Sequence, residues 1–343
     1  MLKSGERAYV YAKACGIIGK SFVGKRLSRL SGLSRLADLD RLVFPGGREL
    51  PERELLVDLE RRIIDRTVKQ IITLIGSFAK PPRLLEELLR SYEYADLKGA
   101  LRSLGEGESK IPDFTDLGPF QRVKFQAYPD LAAMLKATEF EFLLRDIGEN
   151  VKSAGEIEIQ TKLDRYYYTR LWDALISLPR RDREGIGKIL GEEISLRNSI
   201  WALRLRTYYG MNPDEVCARL VSPEIGKGRE KRYEGKSFLD DALASLKLPL
   251  DNRAAWSKWK RVNMLNRDSE GWRLDPRYFQ NAASQYLYRL TRTFFRRRPF
   301  SLDTACCFIK LKQFEEDLLT SVAEGLGLGL PGGDIFALME FQS

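Results

Sequence analysis

The chain repeats itself, without a gap, at an offset of 119 residues. Tyr167, Arg170 and Leu171 return as Tyr286, Arg289 and Leu290. Asn198, Gly210, Glu215 and Val216 return as Asp317, Gly329, Asp334 and Ile335. A fainter copy lies upstream, where Asp96, Asp113 and Phe114 keep the spacing of Asn198, Glu215 and Val216. A proline stands nearby each time, at Pro112, Pro213 and Pro331. Units of this length exceed the roughly 20 to 50 residues of common solenoid repeats. They point instead to three similar domains in one chain, and 343 residues suffice for each to bury a core of its own.

The apolar spacing between the breaks is helical. Leu55 to Phe78 carries apolar residues at 56, 59, 63, 64, 68, 71, 72 and 75. Ser301 stands as an N-cap after Pro299, and Leu302, Cys306 and Ile309 begin a stripe that Leu311, Phe314, Leu318 and Val322 continue on a neighbouring face. Gly325 and Gly327 are placed to let that helix end with positive φ. No series of alternating β-branched runs indicates a sandwich or barrel. The expected fold is all-α.

Phe44-Pro45-Gly46-Gly47 breaks the first helical hairpin, Gly105 to Pro119 connects the first and second copies, and the basic stretch Gly226 to Lys236 separates the second from the third. The expected domains are 1–119, 120–225 and 226–343. The last includes a segment with Trp256, Trp259 and Trp272, whose spacing suits one helix face folded over the third copy. Within each copy a helix passes through Asp96, Asn198 or Asp317 and runs on for about three turns. A glycine-containing turn follows, and then Asp113, Glu215 or Asp334 favours the start of the next helix. The repeated Asp or Asn reads as a polar contact that fixes helix packing.

Composition removes several kinds of chemistry. There is no histidine, so Ser-His-Asp and Cys-His catalysis and the commonest metal ligand are absent. Cys15, Cys217, Cys306 and Cys307 lack zinc-knuckle spacing and read as buried, reduced thiols. The longest strongly apolar stretch, Ile71 to Ala79, is too short to span a bilayer, and the first residues lack a signal-peptide core, so a cytoplasmic protein is expected. An excess of 57 basic over 48 acidic residues, net +9, favours an anionic neighbour: nucleic acid, membrane surface or acidic protein.

Several motifs invite a functional reading and do not sustain one. Gly16-Ile-Ile-Gly19-Lys20-Ser21 has two residues between its glycines where a phosphate-binding loop needs four, and it follows helix rather than strand. Arg296-Arg297-Arg298 sits at a helix C-terminus, where cations are favoured by the dipole. Tyr166, Tyr167 and Tyr168 point about 100° apart and cannot share a face, so one is expected in the core, and Tyr286 and Tyr288 belong with them as packing residues. The pairs Glu192-Glu193, Asp240-Asp241 and Glu315-Glu316 have no recognisable partner and no general acid and base context. No catalytic, cofactor-binding or metal-ligating residue is assigned.

The run Gly191-Glu-Glu-Ile-Ser-Leu-Arg-Asn-Ser-Ile-Trp-Ala-Leu-Arg-Leu-Arg-Thr-Tyr-Tyr-Gly210 resembles the signature of the C/d family of A/V-type rotary ATPase subunits, found in both archaeal-type and vacuolar-type machines. Tyr92-Glu-Tyr-Ala-Asp-Leu-Lys-Gly-Ala-Leu-Arg102 is similar to that family's first-domain motif. Pro299 to Glu324, with Ile309-Lys-Leu-Lys-Gln-Phe-Glu315, is similar to its C-terminal Lys-x-x-Glu helix, and Tyr9-Val-Tyr-Ala12 suits its N-terminal pattern. Gly16, Gly19 and Gly24 depart from the usual Arg-rich continuation, and Ser195 stands where Asp is common. The resemblance implies three helical domains arranged as a pseudo-threefold funnel. It implies a non-catalytic member of the central stalk, without cofactor and one copy per complex, on the cytoplasmic face of the membrane. Its mouth would receive the central shaft and its base would sit on the membrane proteolipid ring, coupling the two for ATP-linked proton or sodium transport, with no nucleic acid as partner. A basic helical scaffold binding nucleic acid or an acidic partner is the alternative, motivated by the net charge and Arg296 to Arg298. A carboxylate-based enzyme is a third and weaker one.

Overall fold

A computed structural model describes residues 4–107, 112–147, 156–223 and 238–339. Among them every regular element is a helix. The first part of the chain forms α1 (Ser4–Ile18), α2 (Ser28–Ser31), α3 (Leu36–Val43), α4 (Glu52–Ile75), α5 (Arg83–Leu89) and α6 (Ser91–Glu106). The short α7 (Leu131–Leu135) and α8 (Phe142–Ile147) lead to α9 (Glu156–Ile176), α10 (Arg180–Tyr209), α11 (Pro213–Cys217) and α12 (Asp240–Leu246). The chain then forms α13 (Pro276–Arg297), α14 (Leu302–Gly327) and α15 (Gly332–Leu338). The basic stretch Gly226 to Lys236 lies outside the described residues.

The repeat falls on matching elements. α9 and α10, then Gly210 at φ +61° and α11, correspond to α13 and α14, then Gly329 at φ +81° and α15. Both glycines hold the left-handed conformation that a side chain would strain. The upstream copy comprises α4, α5 and α6, which end at Gly107 with φ +78°. Here the copies diverge: Asp113 starts no helix. Residues 112–117 are irregular, and the Asp113 carboxylate instead pairs with Arg61 on α4 at 2.5 Å. In the second copy the expected start is present as a capping box. Asn212 accepts from the Glu215 amide at 3.0 Å, and Glu215 accepts from the Asn212 amide at 2.8 Å.

Packing runs from each copy to the next. α5 and α6 lie against α9, α10 lies against α13, and α14 lies against α4. The second helix of each copy therefore meets the first helix of the next, and the last copy returns to the first. α14 is the common neighbour: it touches α1, α3, α4, α5, α10, α13 and α15. Its buried residues include Leu302, Cys306, Phe308, Ile309, Leu311, Leu318, Leu319, Val322 and Leu326, which occupy more than one face. A helix apolar on several sides suits a central strut rather than a surface.

Close approach to α14 depends on residues without side chains. Gly325 and Gly327 lie in the last turn of the helix, with Gly327 its final residue, and neither has positive φ. A Cβ on Gly325 would sit 2.6 Å from Ile335 Cδ1, and one on Gly327 would sit 3.2 Å from Leu56. The exit with positive φ belongs to Gly329. At the other end of α14, Ser301 occupies the N-cap position, but its hydroxyl donates back to the Arg298 carbonyl at 2.7 Å. Asp303 there accepts from the Ile186 amide of α10 at 3.0 Å and forms an ion pair with Arg298 Nε at 3.2 Å, against the bare Cα of Gly185.

The Lys-x-x-Glu pair is internal. Lys312 and Glu315 are each 1% exposed, and their side chains pair directly. Glu315 also accepts from the Phe22 amide at 2.7 Å, and Lys312 Nζ lies 3.4 Å from Ser21 Oγ. Burial alone would raise the Glu315 pKa, but the Lys312 ammonium and the hydrogen bonds from Lys312 and Phe22 outweigh it and hold it below the usual value. The glycine-bearing segment after α1 is thus tied to α14. Its Gly19, Lys20 and Ser21 amides bond Cys15, Ile17 and Ile18 carbonyls, so they close the helix end and leave no cradle for phosphate.

The Trp-rich segment is irregular rather than one helix face. Trp256, Trp259 and Trp272 are buried with Leu196 and Leu203 of α10 and Phe279 and Ala283 of α13, so the segment wedges between two copies. The indole N–H groups of Trp256 and Trp259 reach the carbonyls of Pro249 and Asp241 at 2.7 and 2.8 Å.

Removing one partner of a buried pair strands a charge, which costs about 3 to 5 kcal/mol. Lys312→Met is expected to lower unfolding free energy by about 3 kcal/mol. It should also abolish hydrogen-exchange protection of the Phe22 amide, as read by chemical denaturation and by exchange mass spectrometry or NMR.

Candidate partner-binding groove

Two concavities on the α13–α14 surface run into each other. One, of about 450 Å³, is lined by Ile64 of α4, Gln280, Asn281, Ser284 and Gln285 of α13, and Glu316, Asp317, Thr320 and Glu324 of α14. The other, of about 200 Å³, extends towards Ile189 and Glu193 of α10. They share Ser284, Phe314 and Asp317. Tyr288 and Phe314 stack at the junction with centroids 4.4 Å apart, and Lys310 closes one edge by pairing with Glu193 at 2.8 Å.

The helical spacing explains this surface. On α14, Phe314, Asp317, Thr320, Ser321 and Glu324 recur every three or four residues and so share a face. On α13, Gln280, Ser284 and Tyr288 do the same. The result is a trough of mixed lining, in which amide, hydroxyl and carboxyl groups stand beside Ile64, Phe314, Leu318 and Met339.

Two of its acids, Glu316 and Asp317, are perturbed. Burial pushes the Glu316 carboxyl up to about 8, the Asp317 charge pushes it the same way, and the hydrogen bond from Tyr92 at 2.7 Å opposes the rise. Asp317 is open to water on the groove side. Protein around its other sides still removes enough solvent to push its carboxyl up to about 6, with Lys310 opposing and Glu193 adding to the effect. Both carboxyls thus hold their protons to higher pH than free side chains do. Among the described residues no group of three or more His, Cys, Asp or Glu could hold a metal ion.

A larger concavity of about 510 Å³ lies between α3 and α4, lined by Phe44, Arg48, Arg62, Arg66 and Lys69. Three of its four cations are already committed. Arg48 pairs with Asp58 at 2.6 Å, Arg62 with Asp40 and Asp58 at 2.6 and 2.7 Å, and Arg66 lies over the Phe44 ring, 5.3 Å from its centroid. They hold the helices and leave the groove on α14 as the better candidate.

The residues that invited a functional reading are dispersed. Arg298 is tied to Glu184, Asp303 and the Arg181 carbonyl, while Arg296 and Arg297 are exposed at the end of α13. Tyr167 and Tyr168 are both buried, where one core tyrosine was expected, because α9 is covered on two sides. Most of the acidic pairs have partners that spacing did not reveal. Glu192 and Asp241 share Arg261 at 2.8 and 2.7 Å, and Ser195 donates to Asp241 at 3.1 Å. Cys306 and Cys307 are buried, but Cys15 is half-buried and Cys217 exposed. Asp317, singled out by the repeat as a packing residue, turns out to face the groove.

The match to known proteins decides the family. The profile of the ATP synthase (C/AC39) subunit matches residues 48–336. The chain belongs to that family. It is thus a subunit of the A/V-type ATP synthases, whose C/AC39 members are accessory parts of the rotary machine. It is also 29% identical over 324 residues to an uncharacterized protein of Treponema pallidum (strain Nichols), covering 94% of this chain and 92% of that one. Among the described residues no helix is long and apolar enough to cross a membrane.

Because the folded protein retains protons on Glu316 and Asp317 that the unfolded chain releases, these groups stabilise fully below about pH 4. That contribution is lost as pH rises towards about 8. Glu316→Gln keeps the acceptor for Tyr92 and removes the titration. Its stability relative to the unsubstituted protein should be near equal at pH 4.5 and rise by at most about 1.4 kcal/mol per pH unit up to pH 8, in urea denaturation series.

Proposed function

We propose that this protein is the socket of the central stalk, coupling the rotating shaft of an A/V-type ATPase to the membrane proteolipid ring. It passes torque for ATP-linked proton or sodium transport and performs no catalytic step of its own. It serves as one copy per complex, peripheral to the membrane on its cytoplasmic face. The family match over residues 48–336 carries this reading.

The architecture supports it physically. A torque-bearing part must not deform under load. Three helical units, proposed at 1–119, 120–225 and 226–343, join in a closed order through α14, which packs on seven other helices. Close-packed interiors of this kind have low compressibility and transmit strain. A closed order of three similar units also suits a funnel with pseudo-threefold symmetry, with an opening for a shaft at one end.

The test is coupling. Assemblies prepared without this protein should retain ATP hydrolysis by the head yet lose ion transport into vesicles, and adding the purified chain back should restore transport. Transport at the full rate in its absence would overturn the socket role. So would failure of the tagged chain to co-purify with shaft and proteolipid subunits.

A further inference from the structure

Stability does not account for the surface where α13 ends and α10 begins. Four arginines stand exposed there: Arg296 and Arg297 in the last turn of α13, and Arg180 and Arg181 in the first turn of α10. Arg298 ties the two elements together by donating to the Arg181 carbonyl at 3.0 Å. Pro299 and Phe300, in the turn between α13 and α14, are exposed beside them, Phe300 by 51%. No described acid pairs with any of the four arginines. The acids nearby are engaged elsewhere, Asp182 with Arg7 at 3.2 Å, and Glu184 and Asp303 with Arg298 at 3.7 and 3.2 Å.

The helix dipole favours cations at the end of α13 but opposes them at the start of α10, so Arg180 and Arg181 gain nothing from the helix they open. Phe300 holds φ +61°, a left-handed conformation that a bulky side chain takes only under strain. Its ring meets Tyr11 with centroids 5.0 Å apart, yet the residue stays half exposed. The turn that displays it is built, not frayed. The Ser301 and Thr304 hydroxyls both donate to the Arg298 carbonyl, at 2.7 and 3.2 Å. Unpaired charge against a dipole and a strained, displayed aromatic thus meet on one surface, and local rules broken together mark a site kept for binding.

We propose that this end of the protein binds an anionic lipid surface. Phe300 enters the boundary between headgroups and acyl chains, and Arg180, Arg181, Arg296 and Arg297 meet the lipid phosphates. The arginines alone would suit any polyanion. The displayed ring selects one with an apolar layer beneath its charge, which is the layering of a bilayer interface. The choice of a membrane also rests on the reading of this protein as peripheral to one. None of the three concavities described above includes these residues, so they offer a surface and not an enclosed pocket.

Co-sedimentation of the purified full chain with vesicles tests this, using phosphatidylglycerol mixed with phosphatidylcholine, and phosphatidylcholine alone. Binding is expected to the anionic vesicles only, and it should weaken as salt rises. Phe300→Gly removes the ring and suits the positive φ, so by circular dichroism it should fold as well as the unsubstituted chain. It should bind roughly tenfold more weakly. Arg296→Gln combined with Arg297→Gln should lose roughly tenfold or more. No binding to anionic vesicles, equal binding to neutral ones, or unchanged binding of either variant would overturn the proposal. So would the same Phe300-dependent binding to single-stranded DNA or to polyglutamate. A chain that fails here yet co-purifies with shaft and proteolipid subunits leaves the socket role standing. One that binds anionic vesicles but joins no such subunits overturns the socket role alone.

Discussion

The fold depends on one helix being apolar on nearly every side. α14 buries residues from Leu302 to Leu326 against seven other helices, including α1, which is nearly three hundred residues away in sequence. Its one open face, along Asp317 and Glu324, is narrow, so buried polar groups set its position. Lys312 and Glu315 do this at the centre: a fully buried ion pair is satisfied only where the Phe22 amide and Ser21 hydroxyl can reach it. Asp303 does it at the N-terminal end, where the Ile186 amide and the gap at Gly185 accept it in one place. Hydrophobic burial supplies the driving force and these contacts supply the register, a division in which buried ion pairs add specificity more than stability.

Much of this was legible in the sequence. The offset repeat, with Asn198 and Asp317 and the glycines at 210 and 329, is enough to locate the paired long helices and their exits. What failed were inferences that needed to know which residues sit opposite each other. Gly325 and Gly327 look like an exit with positive φ by local chemistry, yet both stay in the last helical turn, where Ile335 and Leu56 press on them, and the positive φ falls at Gly329. Asp113 matches Glu215 in spacing but meets Arg61 across the fold, and that contact replaces a helix start. Tyr167 and Tyr168 can both be buried only because α9 is covered from two directions, which periodicity along one helix does not report.

The groove is the clearest case. Sequence singled out Asp317 by its register but could not say that the trough beside it is open, because openness is a property of what neighbouring chain does not fill. Its counterparts show how one position can be reused. Asp96 and Asn198 spend their acceptors on the protein's own connections, whereas Asp317 spends none on any described residue. Internal symmetry thus shows one register put to two uses, an amide acceptor in two copies and a groove-facing carboxyl in the third.

The return of α14 onto α4 has a consequence for how the protein is made. The buried face of α4, with Leu59, Ile63, Val68 and Ile71, is synthesised first, and its main partner is synthesised last. At ribosomal speed, roughly 5 to 20 residues per second, about 250 residues of elongation separate the two, on the order of 10 to 50 s. During that time the part of this face that α14 will cover stays open, with only α1, α3 and α5 available to shield α4. A holdase able to occupy that surface, and to yield it when residue 327 emerges, would govern yield more than any change in the finished protein's stability.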